Sequence, residues 1–217
     1  MINIISLIEG VNKVFSKLAW LLFIGFVLSA CQSQPVRPLT NEEGRVFETK
    51  AQIKTAQETN TVKIQVALLP QKAIRLEVSA TLGLSVASVL VTPSQIQIAL
   101  HTQNAFITGP FHEKTLYPLF KQNISPRLLW KIIHDQNPAT TQLKCELNEL
   151  QKPISCLDQD GTLINWTYEV GFRRRIDIKN NRFKMNWIFK DQLQLPESQT
   201  ETFVLKKPES YKEISIK

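Results

Sequence analysis

Most of this 217-residue chain alternates apolar and polar residues with a period of two. Ile64, Val66 and Leu68 alternate with Lys63, Gln65 and Ala67. Ile74, Leu76 and Val78 alternate with Arg75, Glu77 and Ser79. Ile96, Ile98 and Leu100 alternate with Gln95, Gln97 and Ala99. Successive side chains on a strand point to opposite faces, so each run offers one face to an apolar interior and one to water. Val86–Val91 is apolar on both faces and needs cover on both. Short turn-forming links at Glu58–Asn60, Pro70-Gln71, Thr92–Ser94 and Gln103-Asn104 leave room only for an antiparallel meander. A second set of strands follows at Leu143–Leu147, Ile154–Leu157, Leu163–Val170, Arg174–Lys179 and Arg182–Lys190. In the last of these Phe183, Met185, Trp187 and Phe189 make one apolar face. Thr202–Leu205 has the pattern of one more short strand.

Between the two sets the period changes. After Gly109-Pro110, Leu116, Leu119 and Phe120 stand at helical spacing. Ser125-Pro126 then offers an N-cap followed by proline at the first helical position, and Leu128, Leu129, Ile132 and Ile133 follow on one face. Two short helices are expected, at 113–121 and 126–135. The fold class is therefore mainly β, of α+β type. It is a curved antiparallel sheet or half-barrel whose apolar concave face is closed by a lid of two inserted helices.

The N-terminus has a separate logic. Lys13 and Lys17 precede an uncharged apolar run, Leu18–Val27, that is shorter than the roughly 20 residues needed to span a bilayer. Small residues follow at Leu28-Ser29-Ala30-Cys31. This is the layout of a secretory signal, and its end resembles a lipobox, the sequence read by lipoprotein signal peptidase. The resemblance implies cleavage before Cys31 and lipidation of that cysteine, with a thioether lipid and palmitate. Gln32 in place of Asp favours the outer membrane, by resemblance to enteric sorting signals. Residues 1–30 are then the signal peptide, 31–44 a polar tether, 45–190 the domain and 191–217 a C-terminal extension. No nucleic acid is expected in that compartment. A monomer is expected.

Removing residues 1–30 leaves Cys145 and Cys156 besides the lipidated cysteine, and lowers the formal charge from +7 to +6. Two cysteines in an oxidising compartment favour a disulfide, with two buried free thiols as the alternative. A basic surface suits an anionic membrane or an acidic partner. Arg173-Arg174-Arg175 either faces such a partner or is a solvated strand end.

No catalytic constellation is present in the sequence. His101, His112 and His134 fall on different elements, and neither HExxH nor Gly-x-Ser-x-Gly occurs. Asp158-Gln159-Asp160-Gly161 begins like a calcium loop, but its twelfth position, Glu169, falls in an expected strand, so a hairpin turn is the better reading. No enzyme activity, cofactor or metal is expected. Leu82-Gly83-Leu84 is the unusual loop. Two leucines stand where a strand connection normally carries polar residues. They either tuck under the sheet edge or touch a membrane or an acyl chain.

Together these pieces resemble the LolB family of outer-membrane lipoprotein receptors. Ile74-Arg75-Leu76-Glu77-Val78, Leu82-Gly83 and Val86–Val91 look like its central strands. Leu116–Pro138 is similar to its inserted helices, and Asn165–Tyr168 and Arg182–Ile188 resemble its closing strands. The resemblance implies a cavity for the acyl chains of lipoproteins, delivered by a LolA-like periplasmic carrier and passed to the outer membrane. Its implied lining is Ile64, Val66, Leu68, Ile74, Leu76, Val78, Leu90, Ile98, Leu116, Leu119, Phe120, Leu129, Ile132, Trp166, Phe183 and Met185. Leu82 matches a protruding leucine that helps the family release cargo, in a transfer loop with Gly83 and Leu84. The alternative function is a scaffold lipoprotein of the same fold that binds an envelope protein. Residues 191–217 extend past the family's usual end.

Overall fold

Phe47, Thr49 and Ala51 are buried while Glu48, Lys50 and Gln52 are exposed, and this alternation makes β1 (Arg45–Thr55) the middle of the sheet. A computed structural model describes residues 44–171, 173–195 and 201–217. The signal segment, Cys31, Gln32 and the tether up to residue 43 lie outside them. From β1 the chain winds outward through β2 (Thr59–Leu69), β3 (Ala73–Ala80), β4 (Ser85–Val91), β5 (Gln95–Leu100) and β6 (Ala105–Pro110). It then forms α1 (Glu113–Phe120) and α2 (Pro126–Ile133). It returns through β7 (Leu143–Leu147), β8 (Pro153–Asp158), β9 (Leu163–Tyr168), β10 (Arg174–Lys179) and β11 (Phe183–Gln194). β11 pairs with β1 from Thr55↔Phe183 to Arg45↔Gln194, joining the two meanders into one sheet.

Among the described residues the strand order is β12-β6-β5-β4-β3-β2-β1-β11-β10-β9-β8-β7, so the sheet is open, with β7 and β12 at its edges. All pairs are antiparallel except β12 (Lys212–Ser215), which lies parallel to β6. The expected class, a mainly β curved sheet with two inserted helices, is what the chain adopts.

Helix boundaries follow local chemistry. Ser125 Oγ accepts from the Leu128 amide, and Pro126 opens α2. His112 caps α1 by accepting from the Lys114 amide, and Lys121 ends it in a left-handed conformation. Gly109 lets α1 come close. A Cβ there would stand 2.5 Å from Thr115 Oγ1 and 3.1 Å from Ile216 Cβ.

Both helices lie on one face. Leu116 of α1 and Leu129, Trp130, Ile132 and Ile133 of α2 pack with inward residues of the sheet into one buried cluster. Trp187 Nε1 donates to Thr49 Oγ1 (2.9 Å), which donates to the Ile64 carbonyl (2.8 Å). The Trp187 and Thr49 side chains are thereby satisfied, and β11, β1 and β2 are pinned together.

Residues 201–204 and Tyr211 of the C-terminal extension lie on the opposite face. Leu195 N–H bonds the Gly44 carbonyl. Glu201, Thr202 and Val204 then lie beside Val46, Gln65, Ala67 and Arg75, which all point outward. Tyr211 OH meets His101 Nδ1 at 2.8 Å, and β12 docks on β6. The expected strand at Thr202–Leu205 is not formed. A short 3₁₀ turn and irregular chain stand there, and the ladder partner is Lys212–Ser215 instead. Val86–Val91 is covered on both faces as its composition requires, since Ser88 and Leu90, on the outer side, are buried too.

Candidate functional site

Fifteen of the sixteen residues named above as cavity lining share the concave face or the lid. Ile64, Val66, Leu68, Ile74, Leu76, Val78 and Ile98 come from β2, β3 and β5. Trp166, Phe183 and Met185 come from β9 and β11. Leu116, Leu119, Phe120, Leu129 and Ile132 come from the helices. Leu90 is the exception and is corrected here. It pairs with Arg75 and Gln97 and faces outward with them, while Val89 and Val91 face in. A strand apolar on both faces carries no phase of its own, so its register is set by its neighbours. The concave face also holds Phe47, Trp130, Trp187 and Phe189. Trp187 and Phe189 continue the period-two apolar face of Phe183 and Met185.

The interior is closed. Its lining and the lid side chains fill one another, and the clefts of about 430 and 250 Å³ lie on the outer face. Opening the interior means moving α2.

Arg174 holds α2 down. It is 5% exposed, although its neighbours Arg173 and Arg175 are exposed. Its guanidinium donates to the Ile133 carbonyl (2.9 Å) and the Ile132 carbonyl (3.2 Å) at the helix C-terminus. It sits 4.0 Å over the Phe189 ring and 5.5 Å over Phe47. Burial pulls its pKa down, and Asp135 and then Tyr168 pull it back. Asp135, just beyond α2, accepts from Lys152 Nζ (2.7 Å) and from Tyr168 OH (3.0 Å). Burial first, then the Asp135 charge, raises the Tyr168 pKa, so that hydroxyl stays a donor. The arginine run thus splits by strand parity, with Arg174 in phase with Ile176 and Ile178.

His134 completes the same helix end. Its ring stacks on Trp130 at 4.4 Å, and Nδ1 meets the Trp130 carbonyl at 2.8 Å. Desolvation lowers its pKa, outweighing the backbone bond that raises it, and Nε2 is buried without a partner. The other two histidines do different work. His112 caps α1. His101 Nε2 lies 2.9 Å from Ser88 Oγ, which bonds Glu77, and its other nitrogen holds Tyr211.

The β3–β4 hairpin leaves its leucines in the open. Gly83 takes φ +80°, and its amide bonds the Ala80 carbonyl, so the turn is tight. Leu82 is 89% exposed and Leu84 68%. The leucines therefore do not tuck under the sheet edge. The hairpin stands at the end of the sheet opposite to Gly44.

Cys145 and Cys156 are directly opposite on β7 and β8 and form a disulfide. Asp158–Gly161 is a hairpin turn closed by the Gly161 amide on the Asp158 carbonyl. Among the described residues no helix is long and apolar enough to cross a membrane.

No family model matches the chain, and no curated protein matches it in sequence. Solved structures do resemble it. A putative outer membrane lipoprotein-sorting protein domain from Vibrio parahaemolyticus superposes with a TM-score of 0.52 at 9% identity, covering 74% of this chain and 89% of its own. A DUF1329 family protein from Desulfovibrio piger gives 0.53 at 7% identity, covering 75% and 90%. A LolA superfamily protein from Nitrosomonas europaea gives 0.46 at 10% identity, covering 72% and 89%, too low a score to build on. What the first two establish is the fold: an open, curved, mainly antiparallel sheet with two short helices, of the kind found in a lipoprotein-sorting domain.

Proposed function

We propose that the protein is an envelope lipoprotein, anchored in the outer membrane through Cys31, that takes acyl chains of other lipoproteins between its sheet and its helical lid. It receives them from a LolA-like carrier and releases them to the membrane, with no covalent chemistry. The observation that carries this reading is an apolar concave face covered by an amphipathic helix and flanked by an exposed leucine hairpin. The likeness to a lipoprotein-sorting domain supports it.

The energetics allow such an exchange. Lifting α2 exposes Leu129, Trp130, Ile132 and Ile133, at about 1.5–3 kcal/mol each, or roughly 6–12 kcal/mol in all. An acyl chain that buries about 14 methylenes at about 0.8 kcal/mol each offsets about 11 kcal/mol. An acyl chain in water therefore repays lid opening, while one handed over from a carrier moves only as far as the two apolar sites differ. The tether also suits the task. Residues 32–43 reach at most about 40 Å when extended. The eleven residues of β1 span about 36 Å. The hairpin at the far end can thus just meet the membrane that holds the anchor.

Transfer tests the proposal. Carrier loaded with a photo-crosslinkable lipopeptide is mixed with the lipoprotein in proteoliposomes. Crosslinks should map to the lid and to inward residues of β2, β3 and β11. Crosslinks confined to the protein exterior would reject it. The filled interior favours a second reading, a scaffold that binds an envelope protein and never opens, and that reading predicts no acyl crosslinks at all.

A further inference from the structure

The leucine hairpin has a basic companion. Gly83 and Ser85 line the cleft of about 430 Å³ on the outer face together with Lys50, Lys63 and Lys190. Lys50 stands directly opposite Lys63 across β1 and β2. Toward the same end of the sheet Lys54 opposes Lys184, and Lys184 opposes Lys179. Like charges directly opposite one another destabilise a sheet, and here they occur three times on one face. The carboxylates nearby offset them only in part. Glu77 is held by Arg75 at 2.7 Å and by Ser88, and Asp177 lies 3.4 Å from Arg175. Glu48 lines the cleft. Among the described residues, Lys50, Lys63 and Lys190 are exposed and make no ion pair.

We infer that this cleft binds the phosphate headgroups of an anionic phospholipid bilayer while Leu82 and Leu84 enter its acyl boundary. The inference rests on the reading of the hairpin as membrane-facing and adds to it the lipid class. The occupant follows from two chemistries in one place. Three unpaired ammonium groups call for anions, and two exposed leucines a few residues away call for a hydrocarbon layer. An anionic bilayer supplies both in adjacent layers, because an apolar segment lying in its interface is buried about 5–10 Å into the headgroup and acyl boundary. An acidic protein surface supplies only the first. Each lysine near an anionic leaflet contributes about fivefold, and Glu48 opposes one of the three, so the cleft favours the anionic membrane about 25-fold.

Lysine footprinting of the full-length lipoprotein in vesicles tests this. Amine acylation is followed by mass spectrometry in phosphatidylcholine vesicles with and without phosphatidylglycerol. Lys50, Lys63 and Lys190 should react several-fold more slowly when phosphatidylglycerol is present, with Lys72 and Lys144 unchanged. The doubly substituted Leu82→Ser, Leu84→Ser protein should lose that protection. Equal rates in both vesicles overturn the inference. So does slowing of every lysine, which marks non-specific adsorption. Slowing by inorganic phosphate alone marks a small-anion site and also overturns it, and protection that survives loss of both leucines separates the cleft from the hairpin and does the same. Acyl binding by the interior, read in the same preparation by tryptophan quenching, keeps the two readings apart. If quenching persists without lysine protection, only the headgroup site is lost.

Discussion

Replacing Arg174 by methionine isolates the clamp on the lid. Methionine fills much of the same volume beside Phe189 but cannot donate to the carbonyls of Ile132 and Ile133. A hydrogen bond from a charged group contributes about 1.5–3 kcal/mol, and the cation over two buried rings adds up to about 2. Against this, removing a charge buried to 5% exposure relieves a desolvation cost of several kcal/mol. Asp135 keeps Lys152 and Tyr168 as partners and is not left alone. The net expectation is a loss of about 2–4 kcal/mol, concentrated on α2. Hydrogen exchange should show amide protection in α2 falling about 30- to 1,000-fold, while amides of β1–β3 change little. Wild-type protection of α2 in the variant would refute the clamp. An equal loss over the whole sheet would reduce Arg174 to an ordinary core residue.

Leu82→Glu should melt within about 0.5 kcal/mol of wild type because the side chain is solvated, should still accept lipopeptide, and should deliver it poorly to liposomes. Unchanged delivery would remove the hairpin from the mechanism. The lowered pKa of His134 gives acid sensitivity. The unfolded chain takes up a proton below about pH 6.5 that the folded lid resists, so stability is full above that value and lost as pH falls through it. His134→Asn should flatten the melting profile between neutral pH and pH 5, and an unaltered profile would assign the loss to other groups. Substituting both Cys145 and Cys156 by serine should cost about 3 kcal/mol or less and spare lipid binding. Their free alkylation in protein from the periplasm, without reductant, would contradict the disulfide.

Much of this was legible before any coordinates, because alternation and helical spacing are local properties. Val62–Leu68, Ile74–Val78 and Phe183–Phe189 announce both their strands and their buried faces. Ser125-Pro126 announces the start of α2. Leu90 was not assignable in that way, since Val86–Val91 is apolar on both sides and only its pairing with Arg75 and Gln97 gives its direction. The arginine run was read as a unit, although parity already separates Arg174 from its neighbours. What parity could not give was its partner, a helix end about 40 residues away whose carbonyls leave no mark in sequence. The C-terminal strap was the least visible. Lys212–Ser215 carries a single apolar residue, Ile214, and is held by backbone pairing to β6 with Ile216 packed on the core just beyond it, so its place depends on an edge that exists only once the sheet is built.

Tryptophan fluorescence tests the central claim most directly. Removal of residues 1–30 takes Trp20 with it and leaves Trp130, Trp166 and Trp187, all three buried between sheet and lid. The full-length protein is titrated with an acylated peptide whose chains carry bromine, a short-range quencher. If acyl chains enter between the sheet and the helices, quenching saturates with peptide and is reversed by an unbrominated competitor. Emission that stays unquenched while the peptide is bound would place the ligand outside the interior and contradict the account.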